Sequence, residues 1–134
     1  MFDYLRIATL VLNTKVGDTI HNSKEIMNKL ETAIDESADI VVTPELALTG
    51  ATCGDLFYQS ELIYGAKKGL NAILKATKKY SGIIVIGMPV LILGELYDCG
   101  VVCAMGKVFG IVPKAFSSEH FSSSENLSLD KSLK

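Results

Sequence analysis

Asp39-Ile40-Val41-Val42-Thr43-Pro44-Glu45-Leu46-Ala47-Leu48-Thr49-Gly50 reads as a short apolar strand that stops at a proline and then presents an acid. Proline has no amide hydrogen to give to a strand ladder, and it pushes the residue before it toward extended geometry. The strand therefore closes at Thr43-Pro44. An acid just beyond a buried strand stands where open α/β sheets gather their functional groups, which makes Glu45 the first candidate for chemistry. The same carboxylate could also cap the next turn or meet a surface lysine.

Upstream, Leu5-Arg6-Ile7-Ala8-Thr9-Leu10-Val11-Leu12 is a nearly unbroken apolar run of strand length, the pattern of a strand covered on both faces. From Asp18, a plausible N-cap, Ile26, Met27, Leu30, Ala33 and Ile34 recur on one helical stripe, so a helix is expected to end near Ser37. Downstream, Leu62, Ile63, Ala66, Leu70, Ile73, Leu74 and Thr77 predict a second helix within Gln59 to Lys79. Its lysines read as a solvated face with cations near the C-terminus. Gly82 to Pro89 is a third buried strand. Glu95 to Ala104 and Lys107 to Pro113 flank Met105-Gly106, where glycine can supply the positive φ of a tight turn, and an antiparallel pair is expected there. Lys114, just past the second of these strands, is a further candidate, although a lysine after a strand is by itself unremarkable. Alternating strands and helices that run into a hairpin indicate a layered α/β domain with a mixed sheet.

The length of 134 residues fits one domain, and 49% apolar against 21% charged residues is enough for a core. A net charge of −2 with acids and bases interleaved gives no basic stripe, so nucleic acid is not an expected partner. No apolar run approaches a membrane span, and Met1-Phe2-Asp3-Tyr4 places an acid where a signal peptide carries positive charge; a cytoplasmic protein with no membrane partner is expected. Cys53, Cys99 and Cys103 are odd in number, which fits reduced thiols. Cys99 and Cys103 share a strand face, a weak metal signal that lacks two further ligands, so each reads as core. After Lys114 the texture changes. Seven of the residues 117–134 are serine and the apolar ones show no period, so a poorly ordered tail is expected there. His21 and His120 have no partners at metal or catalytic spacing and read as surface.

Pro44-Glu45-Leu46-Ala47-Leu48-Thr49-Gly50, Cys53-Gly54-Asp55-Leu56-Phe57, Gly87-Met88-Pro89, Leu96-Tyr97-Asp98-Cys99 and Gly110-Ile111-Val112-Pro113-Lys114 form an ordered set. Together they resemble the nitrilase (carbon-nitrogen hydrolase) superfamily. Within that superfamily they look like the N-terminal glutaminase domain of glutamine-dependent NAD synthetases, with Gly54-Asp55-Leu56-Phe57 favouring that branch over stand-alone amidases. The resemblance covers roughly residues 4 to 116. It implies part of an α-β-β-α sandwich over residues 1–116, followed by the serine-rich stretch at 117–134. It also implies a Glu-Lys-Cys triad acting on glutamine. Glu45 matches the general base that takes the thiol proton, and Lys114 matches the cation that stabilises the oxyanion. Glu125 lies at about the spacing of a second glutamate that supports the lysine.

The cysteine of that triad would follow Lys114 by several tens of residues, and no cysteine follows Lys114 here. The chain is accordingly expected to stop before the nucleophile and to be inactive alone. Cys53, Cys99 and Cys103 read as small buried hydrophobes, not as substitutes. Ala51 stands where an aromatic residue usually follows the Thr-Gly pair. Lys114-Ala115-Phe116-Ser117-Ser118 stands in place of the Lys-x-x-Leu-Pro continuation. These departures fall on the wall of the substrate pocket and on the next turn. The glutaminase half needs no cofactor; ATP and Mg would serve a synthetase domain. An uncovered sheet face is expected to favour a homo-oligomer. Two other readings stand beside this one: a stand-alone carbon-nitrogen hydrolase of another substrate, and an inert remnant acting only in subunit association.

Overall fold

A computed structural model describes residues 4–128 of the chain. The elements run β1 (Ile7–Thr9), α1 (Thr19–Asp35), β2 (Ile40–Val42), a 3-10 turn (Gly54–Tyr58), α2 (Ser60–Ala76), β3 (Ile83–Ile92), β4 (Glu95–Ala104), β5 (Lys107–Pro113) and α3 (Glu125–Ser128). The strands form one sheet in chain order. Strands β1, β2 and β3 pair in parallel, and β4 and β5 continue the sheet antiparallel, so the sheet is mixed as the sequence indicates.

Asp18 caps α1: its Oδ1 accepts from the His21 amide at 2.9 Å, satisfying one of the donors that a helix start leaves unpaired. The apolar stripe of α1 delivers Ile26, Leu30 and Ala33 to the core, and α2 delivers Leu62, Ala66, Leu70 and Ile73. The helices approach closely at Gly69, where a Cβ would lie 3.0 Å from the Leu48 side chain and 3.2 Å from Ser23. Both helices cover the same sheet face. Strand side chains alternate, so register assigns Ala8, Val41, Ile84 and Cys103 to one row of that face, and Ile86 with Val101 to the next. All of these belong to, or pack against, one buried cluster.

The opposite face is open. Ile7, Ile40, Ile83 and Ala104 form a row there, yet Ile7 and Ile83 are exposed, as are Leu5, Val11 and Val112. The apolar run at Leu5 to Leu12, read as covered on both faces, is therefore covered on one. Only Ile7–Thr9 ladders as strand.

Two features differ from the sequence reading for identifiable reasons. The third strand continues past Pro89 to Ile92, with Pro89 opposite Asp98, and turns back at Leu93-Gly94. Proline is tolerated because β2 pairs with β3 only as far as Val85. Beyond that point this side of β3 is an edge, where no ladder amide is needed. Leu93 and Gly94 have φ of 50° and 81°, and Met105 and Gly106 have 50° and 76°. Positive φ at both central residues marks the turn that matches strand twist, so two such hairpins are present where one was expected.

The second difference lies after Lys114. Residues 117–124 take no regular element but are tied back: the Ser122 amide donates to Leu96 O at 2.8 Å and the Ser118 amide to Phe121 O at 3.0 Å. Phe121 is buried edge-on against Phe57 with ring centroids 4.8 Å apart, in a small second cluster with Leu46, Cys53 and Leu62. His120 is a correction to the surface reading. Its ring is 16% exposed, 3.7 Å from Asp55, and packs near Phe57 and Tyr58. Single apolar side chains used one at a time leave no period to read. Residues 129–134, with Leu129 and Leu133, lie outside the described residues. Among the described residues no helix is long and apolar enough to cross a membrane.

Candidate active site

The segment after β2 turns sharply because the adjoining strand leaves room for it. The Gly87 amide donates to Thr43 Oγ1 at 2.9 Å, and the Leu48 amide to Gly87 O at 3.3 Å. A Cβ on Gly87 would sit 2.2 Å from Pro44 O and 2.8 Å from the Leu46 nitrogen, so only glycine permits this crossing. Leu46 takes a φ of 53°, and the Gly50 amide closes the turn on Leu46 O at 2.7 Å. Asn22 of α1 secures the segment from behind, donating to Leu48 O at 3.1 Å and Lys15 O at 2.8 Å. The outcome is that Glu45 projects from the end of the sheet on a braced backbone.

Lys114 arrives from the end of β5. Its amide donates to Asp98 O at 2.8 Å, which extends the β4–β5 ladder by one bond and fixes where the side chain departs. Lys114 Nζ then donates to Glu45 Oε1 at 2.8 Å, joining residues 69 apart in sequence. Both side chains are about half exposed, 50% for the lysine and 53% for the glutamate.

Asp98 completes the cluster, and sequence reasoning gave it no role. It is 6% exposed, and it stands on β4 at the residue whose carbonyl takes the Lys114 amide. Burial pushes Asp98 up to about 7, helped by the hydrogen bond and charge of Glu45 and opposed by Lys114. Glu45 is held below its ordinary value, first by the hydrogen bond from Asp98 and then by Lys114. Lys114 is raised by its bond to Glu45. Glu45 is thus a carboxylate and Lys114 an ammonium at neutral pH. The available sequence signal was an acid between Tyr97 and Cys99, inside a strand that is otherwise apolar: a charged group there must find partners or keep its proton.

Glu125 begins α3. Its amide donates to Ser123 Oγ at 3.2 Å, and the preceding Ser124 amide donates to Lys114 O at 3.2 Å, so its backbone lies one residue from a bond to the lysine's own carbonyl. The three thiols are all buried. Burial raises Cys53, pushes Cys103 up to about 11, and with Asp98 nearby pushes Cys99 up to about 12. None is a thiolate at neutral pH. Cys103 packs in the main cluster and Cys53 in the small one.

The fold is that of the nitrilase superfamily: an amidase of that superfamily from Nesterenkonia AN1 matches 89% of this chain and 48% of its own, with a TM-score of 0.73 at 21% identity. Greater likeness is found among glutamine-dependent NAD(+) synthetases. The crystal structure of one from Cytophaga hutchinsonii matches 89% of this chain and 22% of its own, with a TM-score of 0.81 at 26% identity. The glutamine-dependent NAD(+) synthetase of Oryza sativa subsp. indica is 34% identical over 110 residues, which is 82% of this chain. No family model matches the chain. It is nonetheless a homologue of these synthetases along most of its length, and it spans between 15% and 19% of the length of curated relatives such as those from rice and Aquifex aeolicus.

Proposed function

We propose that Glu45 and Lys114 belong to a carbon-nitrogen hydrolase site that releases ammonia from the side-chain amide of glutamine, for use in NAD synthesis. The observation that carries the reading is the 2.8 Å contact between Lys114 Nζ and Glu45 Oε1 at one end of the sheet. Homology to glutamine-dependent NAD(+) synthetases supports the choice of substrate.

In this reading a cysteine thiol meets the Glu45 carboxylate, which takes its proton as general base. The sulfur attacks the amide carbon, and the carbonyl oxygen gains negative charge opposite the Lys114 ammonium. The C–N bond breaks and ammonia leaves with a proton from Glu45. Water then cleaves the thioester to glutamate, restoring the thiol. Glu125 is proposed to support Lys114 from α3. The thiol belongs to residues other than these, because Cys53, Cys99 and Cys103 are buried and protonated. The synthetase step, with ATP and magnesium, is likewise assigned to other residues.

Glutamine-dependent ammonia release by the complete polypeptide tests the proposal. Glu45→Ala is expected to lower kcat about 10²–10⁴-fold, and Lys114→Ala about 10²–10³-fold. Unchanged release in either variant defeats the assignment. The 134-residue chain by itself is expected to release none; release that Glu45→Ala abolishes would overturn that part. Self-association through the open sheet face is also proposed, because a monomer leaves Ile7, Ile83 and Val112 in water.

A further inference from the structure

The segment that carries Glu45 leaves the sheet through two bonds that a regular ladder would not make. In parallel pairing, alternate residues of a strand use both amide and carbonyl on the same neighbour. Val42 stands opposite Val85, and the Thr43 amide donates to Val85 O at 3.0 Å. A ladder that continued in this register would bring the Gly87 amide to the Thr43 carbonyl and the Glu45 amide to Gly87 O. Both partners are replaced. The Gly87 amide donates to Thr43 Oγ1 at 2.9 Å, and Gly87 O takes the Leu48 amide at 3.3 Å. We propose that Thr43 is a positioning residue: its hydroxyl takes the place of its own carbonyl on Gly87, ends the β2–β3 ladder there and turns Glu45 out of the strand to meet Lys114. The catalytic consequence rests on the hydrolase reading above; the placement of the side chain does not.

Strand alternation shows what the replacement achieves. Val41 lies at 0% exposure in the cluster beneath the helices, and an unbroken strand would send residues 43 and 45 to that same face. A carboxylate delivered there would lose its water with no partner in return. Instead, Pro44 offers no amide to a further rung, and Gly87 leaves room for the chain to cross. A Cβ on Gly87 would lie 2.2 Å from Pro44 O and 3.1 Å from the Glu45 carbonyl carbon. The Thr43 hydroxyl also donates to Pro44 O at 3.4 Å, so it touches both the strand left behind and the peptide that leads into Glu45. Thr43 is 7% exposed and branched at Cβ, which leaves its hydroxyl few orientations. Glu45 emerges half exposed with Oε1 2.8 Å from Lys114 Nζ. A base fixed in this way is held where it can meet a thiol proton.

NMR of the 134-residue chain bearing Thr43→Val or Thr43→Ser tests this. Valine keeps the branched shape and removes the hydroxyl; serine keeps the hydroxyl and removes the methyl. The Gly87 amide should exchange slowly with solvent in the wild type and in Thr43→Ser, and at least about fivefold faster in Thr43→Val, for the loss of one hydrogen bond. The Glu45 carboxyl, followed by its side-chain carbon, should titrate low in the wild type and in Thr43→Ser. In Thr43→Val it should move up toward the ordinary carboxylate range as its contact with Lys114 loosens. Rescue by serine separates the hydroxyl from packing of the methyl. Should Thr43→Val not fold, Thr43→Ala is read in its place. The proposal is overturned if Gly87 exchanges in the wild type as fast as an open amide, if Glu45 titrates alike with and without the hydroxyl, or if serine behaves as valine does. Ammonia release is not measured here, so a failed glutaminase assay and a failed exchange or titration experiment point to different errors.

Discussion

The two faces of the sheet are built from the same residue types and meet opposite fates. Ile86 and Ile7 are both isoleucines on strands, yet Ile86 is 0% exposed beneath the helices while Ile7 is 59% exposed on the bare side. Strand periodicity assigns residues to faces; it does not say whether anything lies over a face. The hydrophobic contribution of a residue depends on the area removed from water, so identical side chains here should differ several-fold in what they stabilise.

Substitutions can break that contrast. Ile86→Ala should cost about 2–5 kcal/mol in urea unfolding, because it opens a cavity in a packed cluster, whereas Ile7→Ala should stay within about 0.5 kcal/mol. Equal losses would mean that the bare face is covered in solution. Gly87→Ala comes next, at about 1–3 kcal/mol or more, since its Cβ would overlap backbone atoms of Pro44 and Leu46 that cannot swing away. It should also weaken the Glu45–Lys114 contact, visible as an upward move in the titration of Glu45. A smaller effect should follow from pH. The contribution of Asp98 is full below its ordinary value of 3.8, declines as pH rises and is lost above about 7. Glu45, held low, works in the other direction and loses its contribution as pH falls through the acid range. Urea midpoints followed across this range should therefore fall toward neutral pH in the wild type and flatten in Asp98→Asn. The smallest change in stability is expected from Ile7→Lys with Val112→Lys on the bare face, but sedimentation should show weaker self-association.

Much of the framework could be read along the chain. The stripe Ile26, Leu30 and Ala33, the Asp18 cap and the Met105-Gly106 turn are all local signals, and each element is found where the pattern indicates. Glu45 and Lys114 were also legible, each at a strand end, although what singled them out was the ordered set of motifs around them. The Leu93-Gly94 hairpin was not read because Pro89 suggests an ending; its tolerance depends on where β2 stops pairing. Phe121 and His120 escaped because irregular backbone imposes no period on side chains that are buried singly.

Local sequence determined the strands, the helices and the two strand-end residues, since propensity, capping and alternation act over a few residues. Tertiary structure alone decided that Lys114 meets Glu45, that Asp98 lies buried against the pair, and that one sheet face is roofed and the other bare. Those outcomes depend on packing between segments far apart in the chain, and on which groups lose water together. Neither is encoded in the neighbourhood of any single residue.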